Sequence, residues 1–331
     1  MDKISLDHGS GGVASQELLS GIFLKHLTSP VLYTLEDSAL LEEHAGRIAF
    51  STDSFVGDPL FFPGGNIGML AVNGTINNLA MRGAMPLALG LGVIIEEGFS
   101  VAALDRIIRS VAEASVSAGV AVVTGDTRVV QKGRMDGICI NTSGIGLVAH
   151  GEEISGAGAM PGDIVILSGT LAEHGIALLT NRSGTTQCSA GYRSDTQPLH
   201  CLIQSVIEEF PCSVHALRDP TRGGLATSLV WIASSSGVGI EILEETLPIR
   251  QEVREACARE DCDPLYLENK GMCILICAPE DAGDILAVMR SMPTGKDAVI
   301  VGSVSAEPVG EVTLTGSGGN KRSLGPLAGI P

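Results

Sequence analysis

Residues 47–68, RIAFSTDSFVGDPLFFPGGNIG, change backbone habit twice within a short span. Arg47–Val56 is strand-like, and the turn-forming Asp58-Pro59 and Pro63–Asn66 close it off. From Asn66 the pattern turns helical, with Ile67, Leu70, Ala71, Leu79 and Ala80 on one apolar face that runs to Gly83. The apolar run LALGLGVII (87–95) follows. A strand, a Pro/Gly turn and a buried helix in that order predict a chain of mixed α and β structure. Within the helix, GTINNLA (74–80) has a polar pocket's composition without a single charged side chain.

Upstream, residues 14–27 place Leu18, Leu19, Ile22, Phe23 and Leu27 at helical spacing. Downstream, Ser100 caps a helix that Gly119 stops, and AVVTGDTRVV (121–130) and GICINTSGIGLV (137–148) read as strands. The polar, Gly/Pro-rich GEEISGAGAMPGD (151–163) marks a boundary, giving expected domains 1–150 and 151–331. The second half alternates again: a helix over about 198–210, the loop ALRDPTRGG, a helix ending near Gly237, strands GIEIL and MCILIC, a helix from Glu280 and closing strands.

With 331 residues, 44% of them hydrophobic and 18% charged, the composition is globular and long enough for two cores. The 42 glycines against 3% aromatics imply aliphatic cores and tight loops, the kind whose backbone N–H groups cradle phosphates. A net charge of −17 without a basic, aromatic-studded stretch argues against nucleic acid. No apolar leader or membrane-length run is present, and eight cysteines without a CxxC pair suit buried thiols in a reducing cytoplasm.

Four aspartates stand beside small hydroxyl residues or glycine in loops or at strand ends: Asp37, Asp53, Asp126 and Asp219. Oxygen donors in such settings suit magnesium and the phosphates it carries, although each alone also suits a turn or cap. His174, near a helix start, and His8, before GSGG, could face a ligand, but a capping or surface role is the commoner one for each, and spacing alone gives neither a catalytic part. No P-loop, GxGxxG, HExxH or GxSxG pattern occurs, so any nucleotide is held by another architecture.

The motifs HGSGG, LEDSALL, STDSFVGDPLFFPGGNIG, GTINNLAMRGAMP, VTGDTRVVQKG, SGTLAEHG, ALRDPTRGGLAT and DPLYLENKGM span nearly the whole chain. In this order they resemble the HypE family of hydrogenase maturation proteins. That family belongs to the superfamily of aminoimidazole ribonucleotide synthetase, selenophosphate synthetase and thiamine phosphate kinase. The resemblance implies an α+β, two-domain PurM-like fold of sandwich type, with an N-terminal ATP-binding domain that dimerises through its sheet and a C-terminal α/β domain. It implies ATP with magnesium, and HypF and the HypC–HypD complex as partners. The family reaction begins with a carbamoyl group placed by HypF on a C-terminal cysteine thiol. ATP activates the carboxamide oxygen, loss of phosphate leaves a thiocyanate, and the cyanide goes to the iron of a nickel–iron hydrogenase.

Carried over by motif, Asp37, Asp53 and Asp126 resemble the magnesium site. Gly9, Gly11, Gly12, Asp53, Thr75 and Thr127 resemble the ATP and phosphate site, HGSGG being the segment that closes over nucleotide. His174 and Asp219 mark a possible second-domain site. Three positions tied to dehydration depart from the family pattern: Asn78 stands for the aspartate of GT-x-ND-x-A, Arg128 for the lysine of TGDTK, and Lys270 for the glutamate of NEGK. Together they make the pocket more cationic and remove a metal ligand and a base. Family members end Pro-Arg-Ile-Cys, whereas this sequence ends LGPLAGIP. A working carbamoyl dehydratase and a degenerate paralog serving as nucleotide-binding protein or scaffold are both compatible with these residues. A superfamily member acting on another small substrate is disfavoured by FFPGGNIG.

Overall fold

A computed structural model describes residues 3–9, 13–28, 46–57, 59–148, 154–182 and 191–327. They fall into two compact units, one holding the residues up to Phe61 with Gly65–Leu79 and Met85–Leu147, the other Phe62–Gly64, Ala80–Ala84 and Val148 onward. The two short pieces join the second unit through specific contacts. Pro63 O accepts the Ser194 N–H at 2.8 Å, and Gly83 O accepts Gln204 Nε2 at 3.0 Å.

The first unit is built on a four-stranded sheet in the order β1-β4-β2-β3, with β1 Arg47–Val56, β2 Ala84–Glu96, β3 Ala121–Val130 and β4 Ile138–Val148. Helices α1 (Ile67–Ala80) and α2 (Val101–Ala118) cover one face. Asn66 starts α1: its Oδ1 accepts the Gly68 N–H at 2.9 Å while Nδ2 donates to Ser110 on α2 at 2.6 Å. Ser100 caps α2, and Gly119 ends it in the left-handed region at φ 66°. The helices cross so closely that a Cβ on Gly68 would lie 2.5 Å from the Ile107 carbonyl oxygen, so only glycine fits there.

The other face is open, with Ile48, Phe50 and Val56 of β1 exposed by 74, 68 and 76% and Ile94 of β2 by 42%. Strands β2 and β3 run parallel, but the register slips at Val123, where β3 carries one extra residue. Val122 and Val129, which differ in parity, are therefore both in the core. The slip turns Thr127, opposite Val93, toward the helices and Asp126 and Arg128, opposite Gly92 and Ile94, toward the open face.

The N-terminal segments Val13–Leu18 and Leu24–His26, joined by a π turn over Leu19–Phe23, are tied to α2 by charge. Asp105 accepts from Lys25 at 2.9 Å and His26 at 3.0 Å, and pairs with Arg109 at 2.7 Å. The Lys25 and His26 hydrogen bonds hold its carboxyl down at about 2. A depressed carboxyl contributes stability above its unfolded pKa and loses it as pH falls through the folded value. Replacing Asp105 with asparagine should therefore cost about 1 kcal/mol at neutral pH, discounted for exposed partners, with the cost shrinking as pH falls from about 4 through 2. Urea unfolding of both proteins across that range measures it.

The second unit holds a seven-stranded sheet ordered β11-β10-β7-β9-β5-β8-β6. Its strands are β5 Ile164–Leu167, β6 Val214–Arg218, β7 Gly239–Leu243, β8 Ile274–Cys277, β9 Val299–Ser305, β10 Val312–Thr315 and β11 Lys321–Leu324. All neighbours are antiparallel except β7 with β10. Val165, Leu167, Ile274 and Ile276 pack with α5 (Gly224–Ser236), while Ile166 and Leu275 pack with α4 (His200–Glu209) and α7 (Ala282–Ser291). Burial on both faces explains the unbroken apolar runs IVIL and ILIC. Helices α3 (Glu173–Arg182) and α6 (Gln251–Arg259) share a smaller cluster. Among the described residues no helix is long and apolar enough to cross a membrane.

Candidate functional site

In the first unit, side chains at the sheet edges carry the chemistry. Asp53 of β1 points to the helix side with Phe55, and both meet α1 at Gly74. A Cβ there would lie 2.8 Å from the Phe55 ring and 3.8 Å from Asp53 Oδ2. Glycine thus keeps the space beside this carboxylate open. Asn78, half-buried one turn beyond Gly74, lies on the same helix face. Thr75 instead serves the interior. Fully buried, its hydroxyl meets Thr142 Oγ1 at 2.7 Å, and Thr142 donates to Ala71 O at 2.8 Å, joining α1 to β4.

On the open face, Asn141 Nδ2 reaches Thr52 Oγ1, Ser54 Oγ and the Asp53 carbonyl at 3.1, 2.9 and 3.0 Å, giving β1 a row of hydroxyls. At the far edge, β3 carries exposed Asp126 and Arg128 and half-buried Thr127. The short turn Leu6–Gly9, which ends at Gly9 of the HGSGG segment, packs against this strand. Asp37, Gly11 and Gly12 lie outside the described residues. Two strands separate Asp53 from Asp126, so their backbones are about 14 Å apart at the usual strand spacing. One copy of the sheet does not bring these two carboxylates to a common ion.

In the second unit three loops meet on Asn269, which is fully buried. Its Oδ1 accepts the Ala172 N–H at 2.7 Å, holding that residue at φ 69°, and its Nδ2 reaches Leu267 O at 3.2 Å and Pro220 O at 3.4 Å. The loop of His174, the loop of Asp219 and the turn of Lys270 are thereby gathered. His174 Nδ1 shares a hydrogen bond with Ser194 Oγ at 2.8 Å, and its ring stands edge-on to Phe62. Burial, reinforced by nearby Lys270, pushes His174 down to about 4, so the imidazole is neutral at physiological pH. Lys270 Nζ pairs with Glu268 Oε2 at 2.9 Å. Burial alone would raise Glu268, yet Lys270, by charge and hydrogen bond, holds it below the usual range, with Arg222 adding to it. Asp195 accepts the Lys270 and Gly271 N–H groups at 3.1 and 3.0 Å, and burial pushes its carboxyl up to about 6.

Glu268, Arg222, Ser194 and Asp195 were not among the residues picked out from sequence. Only Glu268, two positions before Lys270 and of opposite charge, offers a local signal; the others meet through long-range packing. Among the described residues no group of three or more His, Cys, Asp and Glu side chains is arranged to hold a metal ion.

Residues 35–148 match the N-terminal domain, and residues 160–315 the C-terminal domain, of AIR synthase related protein. Carbamoyl dehydratase HypE of Azotobacter vinelandii is 44% identical over 98% of this chain and 95% of its own length. The crystal structure of hydrogenase maturation protein HypE in complex with ATP matches with a TM-score of 0.95 at 43% identity, over 99% of this chain and 98% of that one. A HypE–HypF complex matches with a TM-score of 0.82 at 43% identity, over 96% of this chain and 100% of that one. Near-complete coverage at this identity shows that the chain belongs to the HypE family of hydrogenase maturation proteins.

Proposed function

We propose that this chain performs the ATP-dependent dehydration of a thiol-bound carbamoyl group to a cyano group in the maturation of a nickel–iron hydrogenase. The full-length match to HypE in complex with ATP carries this reading. The candidate ligands agree: the carboxylates of Asp53 and Asp126 offer only oxygen, which suits magnesium. Magnesium-bound ATP supplies the phosphoryl group that turns an amide oxygen into a leaving group.

The residues of this chain do the rest. Asp53, beside the gap left by Gly74, and Asp126, exposed on β3, are the proposed metal ligands. Arg128 keeps the positive charge of the family lysine on the same strand, with a planar fork for phosphate oxygens. Asn78 orients through its amide and cannot act as a base.

The distance between Asp53 and Asp126 leads to a dimer. A second copy covering the apolar open face of the sheet buries Ile48, Phe50, Val56 and Ile94 and sets its Asp126 edge beside the Asp53 edge of the first. HypF, the partner in the solved complex, is the proposed source of the carbamoyl group, HypC–HypD the recipient of cyanide, and the cytoplasm the setting.

The test extends the chain by Pro-Arg-Ile-Cys, adds HypF, carbamoyl phosphate and ATP, and follows the terminal peptide by mass spectrometry. Carbamoylation followed by loss of one water is expected. Carbamoylation alone would mean a scaffold rather than a dehydratase.

A further inference from the structure

A cavity of about 620 Å³ in the second unit lies at the C-terminal end of α6, among residues no step above uses. Arg254, Lys321, Arg322 and Ser317 line it together with two cysteines, Cys257 and Cys262.

The way α6 ends explains why the thiols meet. The Cys262 N–H donates to Cys257 O at 3.0 Å, the Glu260 N–H donates to Ala256 O at 2.9 Å, and Asp261 takes the left-handed conformation at φ 51°. This is a Schellman ending, in which the residue after the left-handed one packs back on the third residue from the helix end. That contact is ordinarily between two apolar side chains. Here the two positions are held by cysteines, both lining the cavity and neither bridged to another cysteine. Cys257 is buried and Cys262 half-exposed, so a small molecule in the cavity reaches Cys262 first.

We propose that Cys257 and Cys262 form a dithiol that closes to a disulfide by exchange with a small-molecule disulfide entering this cavity. Cys262 loses its proton to solvent and attacks one sulfur of the incoming disulfide, giving a mixed disulfide and releasing one thiolate. Cys257 then loses its proton and attacks Cys262 Sγ, closing the protein disulfide and releasing the second. Two protein thiols are oxidised and one small disulfide is reduced to two thiols.

The order of attack follows from the surroundings. Burial pushes the Cys257 thiol up to about 12, which makes it a poor first nucleophile. Cys262 is raised as well, by burial and by the carboxylates of Glu260, Asp263 and Asp261 against the lowering effect of Cys257, so its greater exposure, and alkaline buffer, make it the first to attack. Closure pins the helix end next to Asp263, whose carboxylate accepts the Leu265 N–H at 3.0 Å and both Arg322 Nη groups at 3.1 Å.

Trypsin gives a direct readout, because Arg259 lies between the two cysteines. The reduced full-length chain is incubated with oxidised glutathione in mildly alkaline buffer, alkylated and digested without reduction. Peptides 255–259 and 260–270 should appear joined, and the joined species should vanish on reduction. Cys257→Ser should stop at a glutathione adduct on Cys262, and Cys262→Ser should leave Cys257 alkylatable only after unfolding. Exposed Cys201 reports that the oxidant was active. If Cys201 is modified while both peptides remain unlinked, or if the wild-type chain stops at the Cys262 adduct, the proposal is overturned.

Discussion

Asp53→Asn and Asp126→Asn should each lower ATP-dependent turnover by about a hundredfold or more, since each removes a charged ligand from the ion that steadies the phosphoryl group. The larger effect comes on combining them. The two aspartates sit at opposite edges of one sheet with two strands between them, too far apart to share a magnesium ion whose ligands lie about 2 Å away. If each site takes Asp53 from one copy and Asp126 from the other, a mixed dimer of the two variants keeps one intact site. Equal co-expression should then restore about a quarter of wild-type turnover, half of the dimers being mixed and half of their sites whole. No recovery would place both aspartates at one copy's site or remove one from the metal altogether. Full activity in either single variant would remove that residue from the machinery.

The second large effect is on stability. Gly271→Ala should destabilise the second unit by about 3 kcal/mol or more. A Cβ at this position would lie 1.8 Å from the Asp195 carbonyl oxygen and 2.8 Å from Gln197 Cγ. The oxygen belongs to the backbone and is held in place, because the Asp195 carboxylate is engaged by the Lys270 and Gly271 N–H groups and Gln197 Nε2 donates to Gly271 O at 2.7 Å. Relief therefore means breaking the bonds that order the Lys270 turn. Gly283→Ala is the control, since nothing lies within 4 Å of its added Cβ and it sits in α7. There alanine should be neutral or stabilise by up to about 1 kcal/mol. Urea unfolding followed by the fluorescence of Trp231, the one tryptophan, reads both. Equal midpoints for the two variants would mean that the turn has room the geometry denies it.

Much of the architecture is legible in the chain. The helix from Asn66, the helix between Ser100 and Gly119 and the strands around them follow from period and caps, because those signals involve residues a few positions apart. The buried runs IVIL and ILIC read as strands for the same reason. Motif order likewise identifies the family, and the substitutions at Asn78, Arg128 and Lys270 are visible without coordinates.

Pairing is another matter. Thr75 stands in a motif that resembles a phosphate site, yet it joins α1 to Thr142, which is 67 residues away in sequence. Asp126 and Thr127 are neighbours in sequence, but the extra residue at Val123 decides which faces the helices and which the open sheet. The charge at Lys270 looks like an inversion in the sequence, and the fold supplies Glu268 as its partner. The sequence by itself determined the elements and the family, since hydrophobic period, caps and turn residues act over a few positions. Only the tertiary structure decided which carboxylates, hydroxyls and thiols meet, since that depends on strand order and register, and one inserted residue reverses a face.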